Sequence, residues 1–287
     1  MLLYRVTARL SRVLGLWIIR WIGALVSAGY FVFLPKRRAN SVEFYQALFP
    51  KQPKRRALAW TWRQYQDFAR VYSERLEIER RTDIRFEFVG EGHLAEARKA
   101  GRGVIVVMSH FGRWEIGARL LARRREGVTL VMGGQVDGGA RAGVDRDLRG
   151  VGVDVITVPE GRRHAFDILE ALNVLRKGGI VSLAADRAFG DARVLRMPFL
   201  GRFVGVAAAP FALAVSSGAP LMIVFSVRLG PRHYRFIDHP PLTLTAANRG
   251  ERQVAMERAA ALYLEQLHAM LQAHPEQWQT FERFFVD

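Results

Sequence analysis

Short apolar runs and longer amphipathic stretches alternate through most of the chain, and that alternation predicts its elements. Val104-Ile105-Val106-Val107 is a continuous β-branched run, the pattern of a strand covered on both faces. Similar spacing predicts strands over residues 84–89, 103–109, 128–132, 153–158, 179–185 and 221–228, the last paired with 234–237. A short extended piece covers 194–199. Apolar positions at helical spacing predict helices over 94–99, 113–124, around 139–149, 163–177 and 207–216. Strands alternating with helices in this order predict an α/β fold, a central largely parallel or mixed sheet flanked by helices. Upstream, residues 55–81 read as a long amphipathic helix whose aromatics Trp60, Trp62, Tyr65, Phe68 and Tyr72 suit core packing. A long helix over about 252–273 and a short one from Pro275 follow the sheet. No internal repeat or flexible linker interrupts the 287 residues, a length that suits one large core.

The N-terminal pattern is different. From Leu14 to Leu34 the chain is almost wholly apolar, broken by Arg20, with Arg5, Arg9 and Arg12 before it and Lys36, Arg37 and Arg38 after it. A span needs about 20 apolar residues, and a central arginine is costly in lipid. A monotopic or shallowly inserted helix with basic flanks on anionic headgroups fits this pattern, with a single span as the alternative.

Charge adds to that picture. The chain carries 43 Lys plus Arg against 27 Asp plus Glu, a formal net charge of +16. Such a field favours nucleic acid, an anionic membrane surface or an acidic protein. No nucleic-acid-binding module accompanies it, which points away from DNA or RNA. The chain has no cysteine, which excludes disulfides, a thiolate nucleophile and a Cys-based zinc site. Its seven histidines are scattered with no His-Glu-x-x-His pair, so no metal and no cofactor is expected. A Gly-x-Ser-x-Gly elbow, a P-loop and a Gly-x-Gly-x-x-Gly fingerprint are all absent.

The chemistry concentrates in Met108-Ser109-His110-Phe111-Gly112-Arg113-Trp114-Glu115. An imidazole at the end of a strand here precedes a carboxylate in the first turn of the next helix, with spacing His-x4-Glu. A carboxylate there can hold the ring in one tautomer, leaving the other nitrogen to take a proton from an attacking hydroxyl. The same pattern also suits a histidine closing a strand and an acid favoured at a helix N-terminus. The strand–loop–helix setting favours the chemical reading, because open α/β sheets bind ligands at the carboxyl ends of their strands. The strand 179–185 ends in Asp186-Arg187 on the same rim, where a shared crevice and a surface salt bridge are both open readings. Arg202 leads into small residues, Gly205 to Ala209, whose backbone N–H groups suit an anion or acyl carbonyl, or else a tight turn. Arg228, at the end of the strand 221–228, is a third cationic candidate for the rim.

Taken in order, these residues resemble the bacterial lysophospholipid/lipid A late acyltransferase family. His110-Phe111-Gly112-Arg113-Trp114-Glu115 is similar to its His-Phe-Gly-Asn-Trp-Glu box. Leu175 to Gly179 with the strand to Asp186, Pro198-Phe199-Leu200-Gly201, Gly218-Ala219-Pro220 and His274-Pro275-Glu276-Gln277-Trp278 resemble its later blocks. The resemblance implies a glycerol-phosphate-acyltransferase-like α/β domain over residues 36–287, with a membrane-anchoring helix over 1–35, on the cytoplasmic face of the cell inner membrane. It implies acyl transfer from acyl carrier protein, or acyl-CoA, to a hydroxyl of an anionic lipid or glycolipid acceptor such as a lipid A precursor. His110 would be the general base and Glu115 its partner. Arg113, Asp186, Arg187, Arg202 and Arg228 would face donor or acceptor.

Three positions depart from the family pattern. Arg113 stands for the usual Asn, Arg187 for the usual Gln, and Ala207-Ala208-Ala209 where a threonine is common. They bear on the acceptor, which in related pathways is an aryl-polyene-type or other glycolipid. Two rivals share the same residues: a membrane-bound acyl-ester hydrolase that uses the base on water, and a non-catalytic lipid-binding protein.

Overall fold

The chain is described by a computed structural model over residues 16–80, 83–124, 126–133, 148–158, 165–188 and 192–286. The described residues begin with three helices: α1 (Leu16–Phe33), α2 (Pro35–Leu48) and α3 (Lys54–Arg80). Pro35 sits in the first turn of α2, where its fixed φ fits and its missing N–H costs nothing, so the chain breaks after Leu34 and turns by 89°. Among the described residues no single helix is long and apolar enough to cross a membrane; α1 and α2 together have the length and composition, but bent.

Helix α1 lies against α3. Ile19 and Ser27 are buried there, the Ser27 hydroxyl donates to the Tyr65 carbonyl, and Gly23 brings the two backbones together opposite Ala69. Arg20, the charge that interrupts the apolar run, meets Glu77 of α3 at 2.7 Å. The opposite face leaves Trp17, Trp21, Leu25 and Phe33 at least 60% exposed, which sets it apart from an ordinary packed helix.

After α3 come β1 (Arg85–Val89), α4 (Gly92–Arg98), β2 (Val104–Met108), α5 (Trp114–Arg123), β3 (Val128–Gly133), β4 (Asp154–Val158), α6 (Ala165–Arg176) and β5 (Ile180–Ala184). Then follow the hairpin β6 (Val194–Phe199) and β7 (Arg202–Ala207), α7 (Ala209–Ser217), β8 (Leu221–Gly230), β9 (His233–Asp238), α8 (Arg249–Ala273) and a 3-10 turn at Pro275–Gln277. Seven strands form one sheet in the order β1-β9-β8-β2-β5-β3-β4, parallel except for the β8–β9 hairpin. This is the mostly parallel, helix-flanked α/β sheet that the pattern predicts. Strand β2 lies between β8 and β5, and Val104 to Val107 are all buried, as its continuous apolar run requires.

Three expectations change. Helix α2 has no counterpart in the pattern reading. The stretch from Arg202 to Ala207, expected to be a turn of small residues leading into a helix from Ala207, is a strand, because Leu200 and Gly201 both take positive φ (53° and 75°) and close a tight hairpin with β6. The helix expected around 139–149 falls largely outside the described residues.

Helix α8 buries Met256, Ala259, Ala260, Tyr263, Leu264, Leu267 and Leu271 at helical spacing, and Asn248 caps its start by accepting the Glu251 N–H. Beyond it, Trp278 is wholly buried beside Phe44 of α2 and Phe284, both 4.6 Å away between ring centroids. The C-terminal segment is therefore part of the core.

Candidate active site

The sheet register assembles the site. Met108 of β2 is paired with Ala184 of β5, and the Ala185 N–H continues the ladder by donating to the Met108 carbonyl. Two residues past that pair, on adjacent parallel strands, stand His110 and Asp186. His110 Nδ1 lies 2.9 Å from Asp186 Oδ1, and the His110 backbone N–H donates to Oδ2 at 2.9 Å. The Trp278 indole N–H donates to the same Oδ2, also at 2.9 Å. The carboxylate side chain is 0% exposed while the imidazole keeps 26%, so the pair has one dry end and one open end. With Nδ1–H donating to the carboxylate, Nε2 is left with its lone pair. Burial alone would raise the Asp186 pKa, but His110, Arg187 and the Trp278 indole together outweigh it and bring it down to about 2.

The loop that carries His110 is held on three sides. Gly112 takes φ +60°, and a Cβ there would lie 1.6 Å from the Ser226 carbonyl oxygen, so only glycine fits. Its N–H donates to the Gln277 carbonyl at 2.8 Å, and the Arg113 N–H donates to the Ser226 carbonyl at 3.2 Å. Gln279 donates its N–H to the His110 carbonyl and its side-chain amide to the Gly112 carbonyl, both at 2.8 Å. Beneath the loop, Ser109 shares a buried 2.7 Å hydrogen bond with Tyr263 of α8.

The other residues expected at the site are placed as follows. The carboxylate on His110 Nδ1 is Asp186, where the His-x4-Glu spacing had suggested Glu115. Glu115 opens α5 and borders a cleft with Ile78, Arg119 and Gln279. Arg113 is buried inside the protein: Nε meets Glu74 at 2.7 Å, NH1 meets Asp67 at 3.1 Å, and NH2 meets Asp67 at 3.3 Å. Burial works against its charge, but Asp67 and Glu74 more than offset this and raise its pKa. Its fork is thus taken up by α3 instead of facing a substrate.

Arg228 donates Nε to the second oxygen of Glu74, and its backbone N–H and carbonyl are both clamped by the Gln277 side-chain amide at 2.8 Å. Arg202, in the β6–β7 hairpin, pairs with Glu43 of α2 and covers the Phe285 ring. Arg187 follows Asp186 directly; NH2 donates to the Gln279 carbonyl, and its buried Nε–H has no hydrogen-bond partner among the described residues. The structure therefore brings His110, Asp186 and Arg187 together, and it joins Arg113 and Arg228 through Glu74.

Trp278, Gln277 and Gln279 are the functional neighbours that pattern reading missed. Gln277 and Trp278 fall in the block His274–Trp278 that resembles the family's, but nothing local in it indicates that its indole reaches a carboxylate just past β5. Among the described residues no three His, Asp or Glu side chains gather to hold a metal.

Comparison with known proteins matches the chain to a family. A family model described as bacterial lipid A biosynthesis acyltransferase matches residues 3–286. The phosphatidylinositol mannoside acyltransferases of two strains of Mycobacterium tuberculosis are similar to the chain, each 25% identical over 193 residues. The match covers 67% of this chain and 58% of each relative, so the chain spans under two thirds of the length of the curated relatives it matches. A strand-end histidine whose ring is fixed by a buried carboxylate, in a chain matched almost from end to end, identifies it as a member of the bacterial lipid A biosynthesis acyltransferase family.

Proposed function

We propose that this protein transfers a fatty acyl group from an acyl thioester to a hydroxyl of a lipid or glycolipid acceptor, with His110 as general base and Asp186 as the group that orients it. The observation that carries this reading is the His110–Asp186 pair, dry at the carboxylate and open at the imidazole. Nε2 takes the proton of the acceptor hydroxyl as its oxygen attacks the thioester carbonyl. The buried Asp186 carboxylate stabilises the imidazolium without accepting its proton. Collapse of the tetrahedral intermediate breaks the C–S bond, and the departing thiolate takes the proton back from Nε2. Arg187, with an unused buried Nε–H beside Asp186, is our candidate donor to the oxyanion. The base contributes about 100- to 10,000-fold, and positioning with oxyanion stabilisation supplies the rest.

A free donor of either kind, acyl carrier protein or acyl-CoA, fits the mechanism. The +16 charge favours the acidic carrier protein and an anionic acceptor. The relatives are named for a glycolipid acceptor, which supports a glycolipid, a lipid A precursor or another. The exposed apolar face of α1, flanked by Lys36, Arg37 and Arg38, is assigned to the cytoplasmic face of the inner membrane, lying on it with Arg20 turned inward to Glu77. Glu115 keeps a supporting place as the acid in the first turn of α5, where it steadies the start of that helix.

The test is product identification. Purified protein in detergent is given labelled acyl–acyl carrier protein or acyl-CoA with total inner-membrane lipid, and the lipids are resolved by mass spectrometry. A newly acylated lipid that depends on His110 is expected. Free fatty acid as the sole product, with acceptor present, would replace this reading with hydrolysis.

A further inference from the structure

Between α3 and the carboxyl end of β8 lies a second cleft, of about 510 Å³, in the size range of small-ligand sites. His110 is not among its walls. Helix α3 supplies Trp60, Arg63, Gln66, Asp67 and Arg70 from one face, at spacings of three and four residues. Arg228, His274 and Glu276 face them from β8 and the C-terminal turn.

The charges in this cleft are not balanced internally. Asp67 gives both oxygens to Arg113, and Arg228 leans on Glu74, so those groups are already paired. Arg63 and Arg70 have no carboxylate partner among the described residues. Arg63 is held over the Trp60 ring at 4.7 Å, a contact that orients a guanidinium without using its N–H donors. Gln66 adds a side-chain N–H₂ group that has no hydrogen-bond partner among the described residues. Two free guanidinia and an amide donor fit a phosphate group. Glu276, an acceptor on the opposite wall, fits hydroxyls carried beside that phosphate and disfavours a bare anion.

The mouth of the cleft points to a lipid as the source. Trp62, which also lines it, is 40% exposed and meets Phe31 of α1 edge-on at 5.2 Å. Leu58, Phe68 and Phe33 are exposed on the same two helices, so the polar cleft borders an apolar surface. We infer that this cleft binds the hydroxyl-bearing phosphate headgroup of a membrane lipid, held by Arg63 and Arg70. Neither His110 nor Asp186 lines it, and binding to it is measured without turnover, so it stands or falls independently of the acyl-transfer reading.

Calorimetric titration of the full chain in an uncharged detergent with dihexanoylphosphatidylglycerol tests it. Because the whole surface is basic, the control is a charge-matched variant: Arg55→Gln with Arg56→Gln, both exposed on the first turn of α3. Wild type and that control are expected to bind alike, and Arg63→Gln with Arg70→Gln about tenfold more weakly or worse. Gln66→Leu, a single neutral change, is expected to weaken binding as well, and it serves if the double variant fails to fold. Equal weakening in both arginine pairs would overturn the site in favour of bulk charge. Binding of dihexanoylphosphatidylcholine as tight as that of the glycerol lipid would overturn anion recognition. Equal affinity for free glycerol 3-phosphate would overturn the lipid source, and no binding by wild type would overturn the proposal outright.

Discussion

Asp186 concentrates the residue-scale physics. A fully buried carboxylate is costly unless each oxygen has partners, and here one oxygen takes the imidazole while the other takes a backbone N–H and an indole N–H. Trp278 therefore positions the carboxylate as well as filling the core. Trp278→Phe keeps most of the ring packing against Phe44 and Phe284 but removes a hydrogen bond to a charged group, a loss of about 1.5–3 kcal/mol. Turnover in that variant is expected to fall about tenfold or more with the circular dichroism spectrum unchanged; full activity would show that the indole only packs. The depressed pKa of Asp186 has a consequence for acid stability. Its folded value of about 2 lies below the ordinary 3.8, so its ionised form contributes stability that is complete above pH ~4 and lost as the pH falls toward ~2. That contribution is of order 2 kcal/mol. Denaturant melts of wild type and Asp186→Asn at pH 6 and pH 2.5 should show the stability gap between them narrowing by about that amount. A gap independent of pH would contradict the pairing.

At the scale of elements, the site depends on how α3 is fastened to the loop after β2. Arg113 with Asp67 and Glu74 is a buried ionic cluster, and Glu74 extends it to Arg228 on β8. Removing Arg113 leaves Asp67 buried without its cation and Glu74 with Arg228 alone, which costs about 3–5 kcal/mol. Arg113→Ala should lower the melting temperature sharply, and adding Asp67→Asn should recover part of the loss; thermal melts check both. A variant as stable as wild type would mean that the cluster is not dry. The local elements were largely legible in the sequence, because continuous β-branched runs and helical spacing report burial directly, as β2 and α8 show. Helix α2 was not legible. It begins Pro35-Lys36-Arg37-Arg38-Ala39-Asn40-Ser41, with no apolar face in its first two turns, and is held by tertiary contacts of Phe44 and Tyr45. Strand β7 was read as a turn because its small residues suit a loop until the positive φ values at Leu200 and Gly201 fix a hairpin. His110 could be singled out because its strand–loop–helix setting is local. Asp186 could be placed on the same rim but not as the partner of His110, since it lies 76 residues away and reaches it only because β5 is the neighbour of β2.

At the scale of the whole molecule, α1 is held to α3 by one face and offers the other outward. Trp17, Trp21 and Leu25 are at least 60% exposed and contribute little to folding, whereas burial of each in a membrane is worth about 1.5–3 kcal/mol. Replacing the three with serine should release the protein from anionic vesicles in a flotation assay while the melting temperature stays nearly constant; retention on the vesicles would move membrane contact elsewhere. The sheet then places the proposed acyl-transfer residues, His110 and Asp186, on the carboxyl rim of β2 and β5, and the C-terminal turn packs against them through Trp278. The most direct test of this account is single-turnover acyl transfer from labelled acyl–acyl carrier protein, measured for wild type, His110→Gln and Asp186→Asn, with melts to confirm folding. Folded variants slowed about 100-fold or more, both of them, are the result that the His110–Asp186 pair predicts. Transfer at the wild-type rate in either folded variant would contradict it.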